Sequence, residues 1–409
     1  MKKSDELAIQ GGQPVRVKNW PTYEDGVGAF SDEAIKNVED VLKSGRLFRY
    51  DTRPYYETFT GQYEKQIETY FGCKHALAVS SGTTALTLAV MALNLPKGFS
   101  VACPMFGFPA TASAVILAGG VPKLYAIDDS LNYDMQDLET RWDESICAII
   151  VVHMRGMAQP IDELVKFAHK KGIYVIEDAV PSLGVFVNSK PLGMYGDIGC
   201  FSTQSDKTIN TGEGGFVITN NDSYFERMVL LSGAYEGRIQ KHIGQCNCAI
   251  ENTVPLYSFR IDEIRSAIAL PQLKHIDKKV KKLKDNYDYV VEKLSPYISV
   301  RKKCYDDGYL GESLLFFVDE DKAEFIAKAI TAEGIKARCI GACNNVRSFE
   351  QWKFIDEVVS EDFQHIDSVV RSAHYLKSTI DISMSVRLEQ EDLDQMVKAI
   401  LKVIHFANK

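Results

Sequence analysis

The sequence predicts an α/β fold, with a large and mostly parallel seven-stranded sheet followed by a small α/β C-terminal domain. Two observations carry that expectation. A chain of 409 residues is longer than one compact core usually holds. Between residues 55 and 220, short β-branched runs alternate with helical patterns, the signature of βαβ units whose sheet is covered on both faces; beyond residue 220 the pattern changes.

Taken in order, the strand candidates of the large sheet are His75–Val79, Ser100–Cys103, Pro122–Ile127, Cys147–His153, Ile173–Glu177, Gly199–Ser202 and Gly215–Thr219. Each is a short apolar run that ends at turn-forming residues. Between them, Thr83–Leu93 opens on a Ser-Ser-Gly-Thr turn, and Pro160–Lys171 repeats Ile161, Leu164, Val165 and Ala168 at helical spacing. Further on, Arg260–Leu273 precedes a stripe of Ile276, Val280, Leu283, Tyr287, Val291 and Leu294, one face of a long amphipathic helix. The lysines at 278, 279, 281, 282 and 284 on that helix read as a solvated face. Strands at Ile298–Arg301, Ser313–Val318 and Lys336–Ile340, with helices at Lys322–Glu333 and Asp392–Phe406, complete the chain. The expected division is an N-terminal segment at 1–55, a large domain at 56–260, and a bridging helix with the small domain at 261–409.

Composition narrows the function. Hydrophobic residues make up 45% and charged residues 25%, ordinary for a globular chain that can offset its ordering entropy by burial. With 47 Lys and Arg against 55 Asp and Glu, no concentrated cationic surface is available to neutralise phosphates, so no nucleic-acid partner is expected. Nine cysteines, an odd count in a chain large enough to need no staples, read as free thiols in a reducing cytoplasm. The opening Met1–Glu6 turns acidic at once and is expected to be no secretory leader. The most apolar segments, 85–95 and 110–117, are shorter than the roughly 20 residues that cross a bilayer, so no membrane partner is expected.

In open α/β sheets the residues just after the strands form the ligand site, and four such places stand out. Ser80-Ser81-Gly82-Thr83-Thr84 sits between a strand and a helix, where free backbone N–H groups and the helix dipole suit a phosphate, though such a serine also reads as a plain cap. Glu177-Asp178 ends an apolar strand; an acid there can hold a cationic ring nitrogen, or cap the next turn, with Glu177 pointing the other way as a structural group. Lys207 lies between the strand end Phe201-Ser202 and the turn Gly212-Glu213-Gly214-Gly215, where a partly desolvated amine becomes a nucleophile able to form an imine. Phe108, after another strand, offers either an aromatic face for a planar ring or a core side chain.

In combination these residues resemble the DegT/DnrJ/StrS-type sugar aminotransferases, pyridoxal-phosphate enzymes of the transferase fold type I. The resemblance is carried by Ser-Gly-Thr-x-Ala-Leu at 81–86, Glu-Asp-Ala at 177–179, Phe-Ser at 201–202, Lys207 and Gly-Glu-Gly-Gly at 212–215, and runs from Leu7–Pro14 through Arg260–Leu273. It implies that Lys207 is the catalytic residue, joining pyridoxal 5'-phosphate through an imine and moving the proton between substrate and cofactor. Asp178 would hold the pyridine nitrogen, Phe108 would stack on the ring, and Ser81, Gly82, Thr83 and Ser202 would grip the phosphate, with Gln204 beside them. An amino donor, glutamate or glutamine, and a sugar-like oxo acceptor are implied: a nucleotide-linked ketosugar, a keto-cyclitol, an aminohydroxybenzoate precursor or the 8-oxo octulosonate of lipopolysaccharide. A homodimer with shared active sites is implied too.

This chain departs from the family pattern at two points. Pro181 stands where a Gln or His usually donates to the cofactor's phenolic oxygen, and Ser258-Phe259-Arg260 where an Asn usually reaches the neighbouring subunit's phosphate. A dehydrating branch of the family carries His at the imine position; Lys207 favours transamination. A sugar dehydratase and a non-catalytic regulator remain the alternatives. His153 reads either as a pocket residue or as a structural histidine. His242, Cys246 and Cys248 supply three groups from one loop without a fourth, so no metal is expected. Arg347, in the segment Cys343–Trp352, reads as an acceptor-pairing cation or an exposed loop arginine.

Overall fold

The computed structural model describes residues 6–21, 30–243 and 253–408. Its large sheet contains seven strands: β1 (His75–Val79), β2 (Ser100–Pro104), β3 (Val121–Tyr125), β4 (Ile146–Val152), β5 (Tyr174–Asp178), β8 (Ile198–Ser202) and β9 (Gly215–Thr219), with a two-stranded ribbon of β6 (Phe186–Val187) and β7 (Lys190–Pro191) between β5 and β8. The strand order is β1-β9-β8-β5-β4-β2-β3. All neighbours are parallel except around β9, which runs against both β1 and β8. Each expected strand is present within a residue or two, because runs such as Ile146–Val152 are buried on both faces and carry an uninterrupted apolar signal.

Helices cover both faces. Gly82–Ala92 packs on one side with Leu86, Leu88 and Val90 buried, while Ile161–Lys171 buries Ile161, Leu164, Phe167 and Ala168 on the other. Each such fully buried Leu or Ile contributes roughly 1.5–3 kcal/mol. No helix among the described residues is long and apolar enough to cross a membrane.

The second sheet has the order β10-β11-β13-β12, formed by β10 (Ser299–Val300), β11 (Ser313–Phe317), β12 (Ala337–Cys339) and β13 (Thr379–Ser383), and it is antiparallel throughout. β13 is absent from the sequence-based expectations. Its interior place requires burying Asp381, 2% exposed, which no local pattern anticipates. The helix Ile276–Leu294 connects the two sheets as expected, turning Ile276, Val280, Leu283, Tyr287 and Leu294 inward, but it buries Val290 where the expected stripe has Val291, which is half-buried. Of the N-terminal residues, Leu7 and Trp20 enter the core of the small sheet, and the backbone at Ala8, Val15 and Arg16 bonds to Glu333. The helix Asp32–Ser44 packs instead on Glu263–Leu273.

Candidate active site

The carboxyl ends of β1, β5 and β8 meet at one edge of the large sheet. Ser81 leaves β1 in an extended conformation and caps the helix Gly82–Ala92, its Oγ accepting from the Thr84 N–H at 3.0 Å. The backbone N–H groups of Gly82 and Thr83 start that helix, where no intrahelical carbonyl can reach them, and the dipole adds positive potential. Gly82 is required: a Cβ there would lie 2.8 Å from the Ser202 Cβ and 3.2 Å from Val180 Cγ2. This contact brings Ser81, Gly82 and Ser202 into one small-walled cradle, with the Ser202 Oγ 3.3 Å from that Cβ position.

Asp178 ends β5 beside the cradle, paired in register with Cys200 of β8. Its Oδ2 accepts from Thr111 Oγ1 at 2.9 Å and its Oδ1 from the Val180 N–H at 3.3 Å. Burial pushes the Asp178 carboxyl above the usual carboxylate range, against the downward pull of Thr111, the Val180 N–H, His153 and Lys207. A buried acid in that condition would be stabilised by a nearby cation such as a protonated ring nitrogen. Glu177 points away, accepting from the N–H groups of Gly193, Tyr195 and Gly196, as expected of a structural acid.

Lys207 sits in the loop between β8 and β9, held by Lys207 N–H to Gln204 carbonyl, Ser205 N–H to Gly212 carbonyl and Thr203 N–H to Gly214 carbonyl bonds. Its Nζ lies 3.2 Å from Asp206 Oδ2 and is within electrostatic reach of Asp178. It lines a cavity of about 570 Å³ shared with Asp206, Arg155, Glu312 and Asp381, closed on one side by the small sheet. Glu312 lies between the fields of Lys207 and Arg155, and burial raises its carboxyl.

The other candidates are distributed as follows. Phe108 is 48% exposed at the start of the helix Pro109–Leu117, and Gln204 is exposed on the Lys207 loop; of the sequence-predicted site residues Lys207 lines the cavity, whereas Phe108, Gln204, Asp178 and the cradle residues Ser81, Gly82, Thr83 and Ser202 lie outside its wall. His153 is buried and fully engaged, Nε2 with Glu177 at 3.1 Å and Nδ1 accepting from the Gln159 N–H at 3.2 Å, so the structural alternative holds. Arg347 is not an exposed loop residue: its carbonyl accepts from Gly107 N–H beside Phe108, and its charge acts on Asp381. Ser258 is exposed, bonded to Arg260, on a segment that meets β1 through an isolated bridge between Arg260 and Val79 and whose Phe259 carbonyl accepts from the Ser80 N–H. His242 bonds the Tyr50 hydroxyl at 2.8 Å, while Cys246 and Cys248 lie outside the described residues.

The lysine run departs from a purely solvated face. Lys281 pairs with Asp285 and Lys282 with Glu389, yet Lys278, Lys279 and Lys282 line the cavity. Lys279 donates to the Thr208 carbonyl at 2.8 Å, and burial lowers its ammonium. Arg155, Glu312, Asp381 and Thr111 are missing from the sequence-based candidates. Arg155 lies just past a strand end and was open to the same reasoning as Asp178. Glu312 and Asp381 come from the other sheet, and nothing local announces them.

The fold is that of the pyridoxal-phosphate-dependent enzymes of fold type I. The chain belongs to the DegT/DnrJ/EryC1/StrS aminotransferase family, whose family model matches residues 29–401. GDP-perosamine synthase of Vibrio cholerae is 32% identical over 232 residues, 55% of this chain and 60% of that protein. The L-glutamine:scyllo-inosose aminotransferase of Streptomyces griseus is 29% identical across 71% of this chain and 68% of its own. Helicobacter pylori PseC, an aminotransferase involved in the biosynthesis of pseudoaminic acid, superposes with a TM-score of 0.80 at 20% identity, covering 95% of this chain and 100% of that one. The chain thus spans 60% of the length of the first relative.

Proposed function

We propose that this chain is a pyridoxal-phosphate-dependent aminotransferase that moves an amino group from glutamate or glutamine to a keto or aldehyde carbon of a sugar-type acceptor. The observation that carries this reading is the placement of Lys207 among the lysines of the cavity wall: it lies within electrostatic reach of the buried acid Asp178, which ends β5 beside an open helix N-terminus. The residues fit the cofactor. Ser81, Gly82, Thr83 and Ser202 would hold its phosphate, Asp178 would hold the proton on its ring nitrogen, and Lys207 would hold its aldehyde carbon. When bound, the cofactor supplies an electron-withdrawing ring that stabilises negative charge on the carbon bearing the amino group. Lys207 Nζ would carry the proton taken from that carbon, a task that needs an amine free to gain and lose charge.

The glutamine named for the Streptomyces griseus relative supports the choice of donor. The GDP-perosamine and scyllo-inosose named for two relatives support a nucleotide-linked ketosugar or a cyclitol acceptor, and the octulosonate of lipopolysaccharide is proposed beside them from the family resemblance. Lysine at the imine position supports transamination over dehydration. We further propose that the chain works in the cytoplasm as a homodimer, with residues 56–260 holding the cofactor and residues 261–409 closing the acceptor side. Phe108 and Gln204, outside the cavity wall, are assigned to the ring face and phosphate side of that site.

The test is spectroscopic. The purified chain is loaded with pyridoxal phosphate and given L-glutamate or L-glutamine, then a panel of oxo-sugars. The visible band should disappear with a donor and return with an acceptor, and the product should carry a new amine. A product that has lost water without gaining nitrogen would replace transamination by the dehydratase reading.

A further inference from the structure

Resting on the cofactor reading just given, we propose that Arg155 is the cationic hydrogen-bond donor to the cofactor's phenolic oxygen. That oxygen sits on the ring carbon adjacent to the one bearing the aldehyde that Lys207 would hold, so a donor from the loops after β4 and β5, strands that lie beside β8 and the Lys207 loop, would suit it. The loop after β5 has nothing to give. The Ala179 N–H donates to the Cys200 carbonyl, the Val180 N–H to Asp178, and the Ser182 N–H and Oγ both to the Ala179 carbonyl, while Pro181 has no N–H at all. In the loop after β4, the His153 N–H donates to the Asp178 carbonyl and both ring nitrogens are engaged. Met154 is apolar. The next side chain is Arg155.

The backbone is built to present it. Arg155 adopts φ +59° and ψ 35°, left-handed geometry that a non-glycine residue holds only under strain. Gly156 follows at φ +71°, so tightly set that a Cβ would lie 2.7 Å from Leu310 Cβ and 3.0 Å from the Pro181 carbonyl oxygen. The turn carrying Arg155 therefore presses directly on the residue that lacks a donor. From the small sheet, Asp381 fixes the guanidinium, accepting from Nε at 3.1 Å and Nη2 at 2.5 Å, and Ser383 Oγ accepts from Nη2 at 2.8 Å. The side chain lines the cavity of Lys207, and both cations act on the one carboxyl of Glu312. The charged groups around it are Asp381 on β13 and Glu312 ahead of β11, with Arg347 acting on Asp381 and Asp206 and Lys207 on Glu312; His153 and Asp178 stand at the ends of β4 and β5. Asp381 is thus a positioning residue for Arg155.

The readout is the pH midpoint of the visible absorption of bound pyridoxal phosphate. A fixed cation beside a titrating cation lowers its midpoint. Arg155→Gln should therefore raise that midpoint by about one pH unit and weaken cofactor affinity, measured by equilibrium dialysis. Adding Pro181→Gln to Arg155→Gln should return part of the lost affinity by restoring a donor. Arg155→Lys, which keeps the charge without the planar fork, should shift the midpoint less and still lose affinity. An unchanged midpoint in a folded Arg155→Gln protein overturns the assignment. Should that variant not fold, an Arg155→Lys protein with wild-type midpoint and affinity overturns it. A wild-type chain that gives no visible band with the cofactor refutes the broader functional reading, whereas a band indifferent to Arg155 refutes this inference alone.

Discussion

At the residue scale, the proposed chemistry rests on Lys207 and Asp178, and the two differ in their surroundings. Lys207 has a salt partner, Asp206, adjacent in the chain. Asp178 is held from a distance by Thr111, whose hydroxyl is the stronger of its two modest bonds. Thr111→Val removes a donor from a buried acid already pushed upward, so the carboxylate form becomes harder to keep. Affinity for pyridoxal phosphate should fall about tenfold, the equivalent of one hydrogen bond to a charged group, with the fold intact; unchanged affinity by equilibrium dialysis would remove Thr111 from the site. Among the proposed site residues, Lys207 and Asp178 were legible in the sequence because Asp178 ends a strand and Lys207 lies in the loop that leaves one. Thr111 was not, since its partner is 67 residues away and its own neighbours form an unremarked helix.

At the scale of elements, the seven strands of the large sheet were readable because their runs are mostly apolar, most clearly in Ile146–Val152, which is buried on both faces. The helix Gly82–Ala92 was readable because its Ser-Ser-Gly-Thr start is a cap with a recognisable chemistry. β13 escaped because an acid occupies its centre, and that acid is held by Arg155 across the junction and by Ser313 of β11, with Arg347 acting on it as well. The Lys278–Lys284 run was misjudged in part because helical spacing does not reveal which solvent-facing turn a loop will cover. Gly82 tests the cradle as an element. Gly82→Val should push the helix start from Ser202 and cost at least roughly tenfold in affinity for pyridoxal phosphate, in line with overpacking of about 1–3 kcal/mol. Binding of pyridoxal, which lacks the phosphate, should change little. Equal losses for both would mean that the helix start does not grip the phosphate.

At the scale of the whole molecule, two arginines join the sheets in opposite directions. Arg155 reaches from the large sheet to Asp381, and Arg301 reaches from the small sheet to the carbonyls of Ser130, Leu131 and Met154. Burial among neutral acceptors lowers the Arg301 guanidinium to about 10. Such long-range joins are invisible to any local reading, which is why the cavity wall could be only half assembled from the sequence. A second buried network links Arg49, Glu64, Tyr55, Tyr50 and His242 behind β1, where Arg49 Nη1 also donates to the Ala78 carbonyl at 2.7 Å. Burial pushes the His242 imidazole well below its ordinary value. The unfolded chain therefore takes up a proton below about pH 6.5 that the folded chain refuses, and stability falls as the pH drops, by at most about 1.4 kcal/mol per pH unit from this group. Denaturant titrations at pH 7.5 and 5.5 should show a loss about 1 kcal/mol smaller in His242→Gln than in the wild type; equal losses would show that His242 does not set the acid limb.

The central claim is that Lys207 is the amine that engages the cofactor. Borohydride reduction of the chain incubated with pyridoxal phosphate, followed by peptide mapping, tests it most directly. A stable pyridoxyl label on the peptide carrying Lys207, lost in Lys207→Ala, is the predicted result. A label on another lysine, or none, would contradict it.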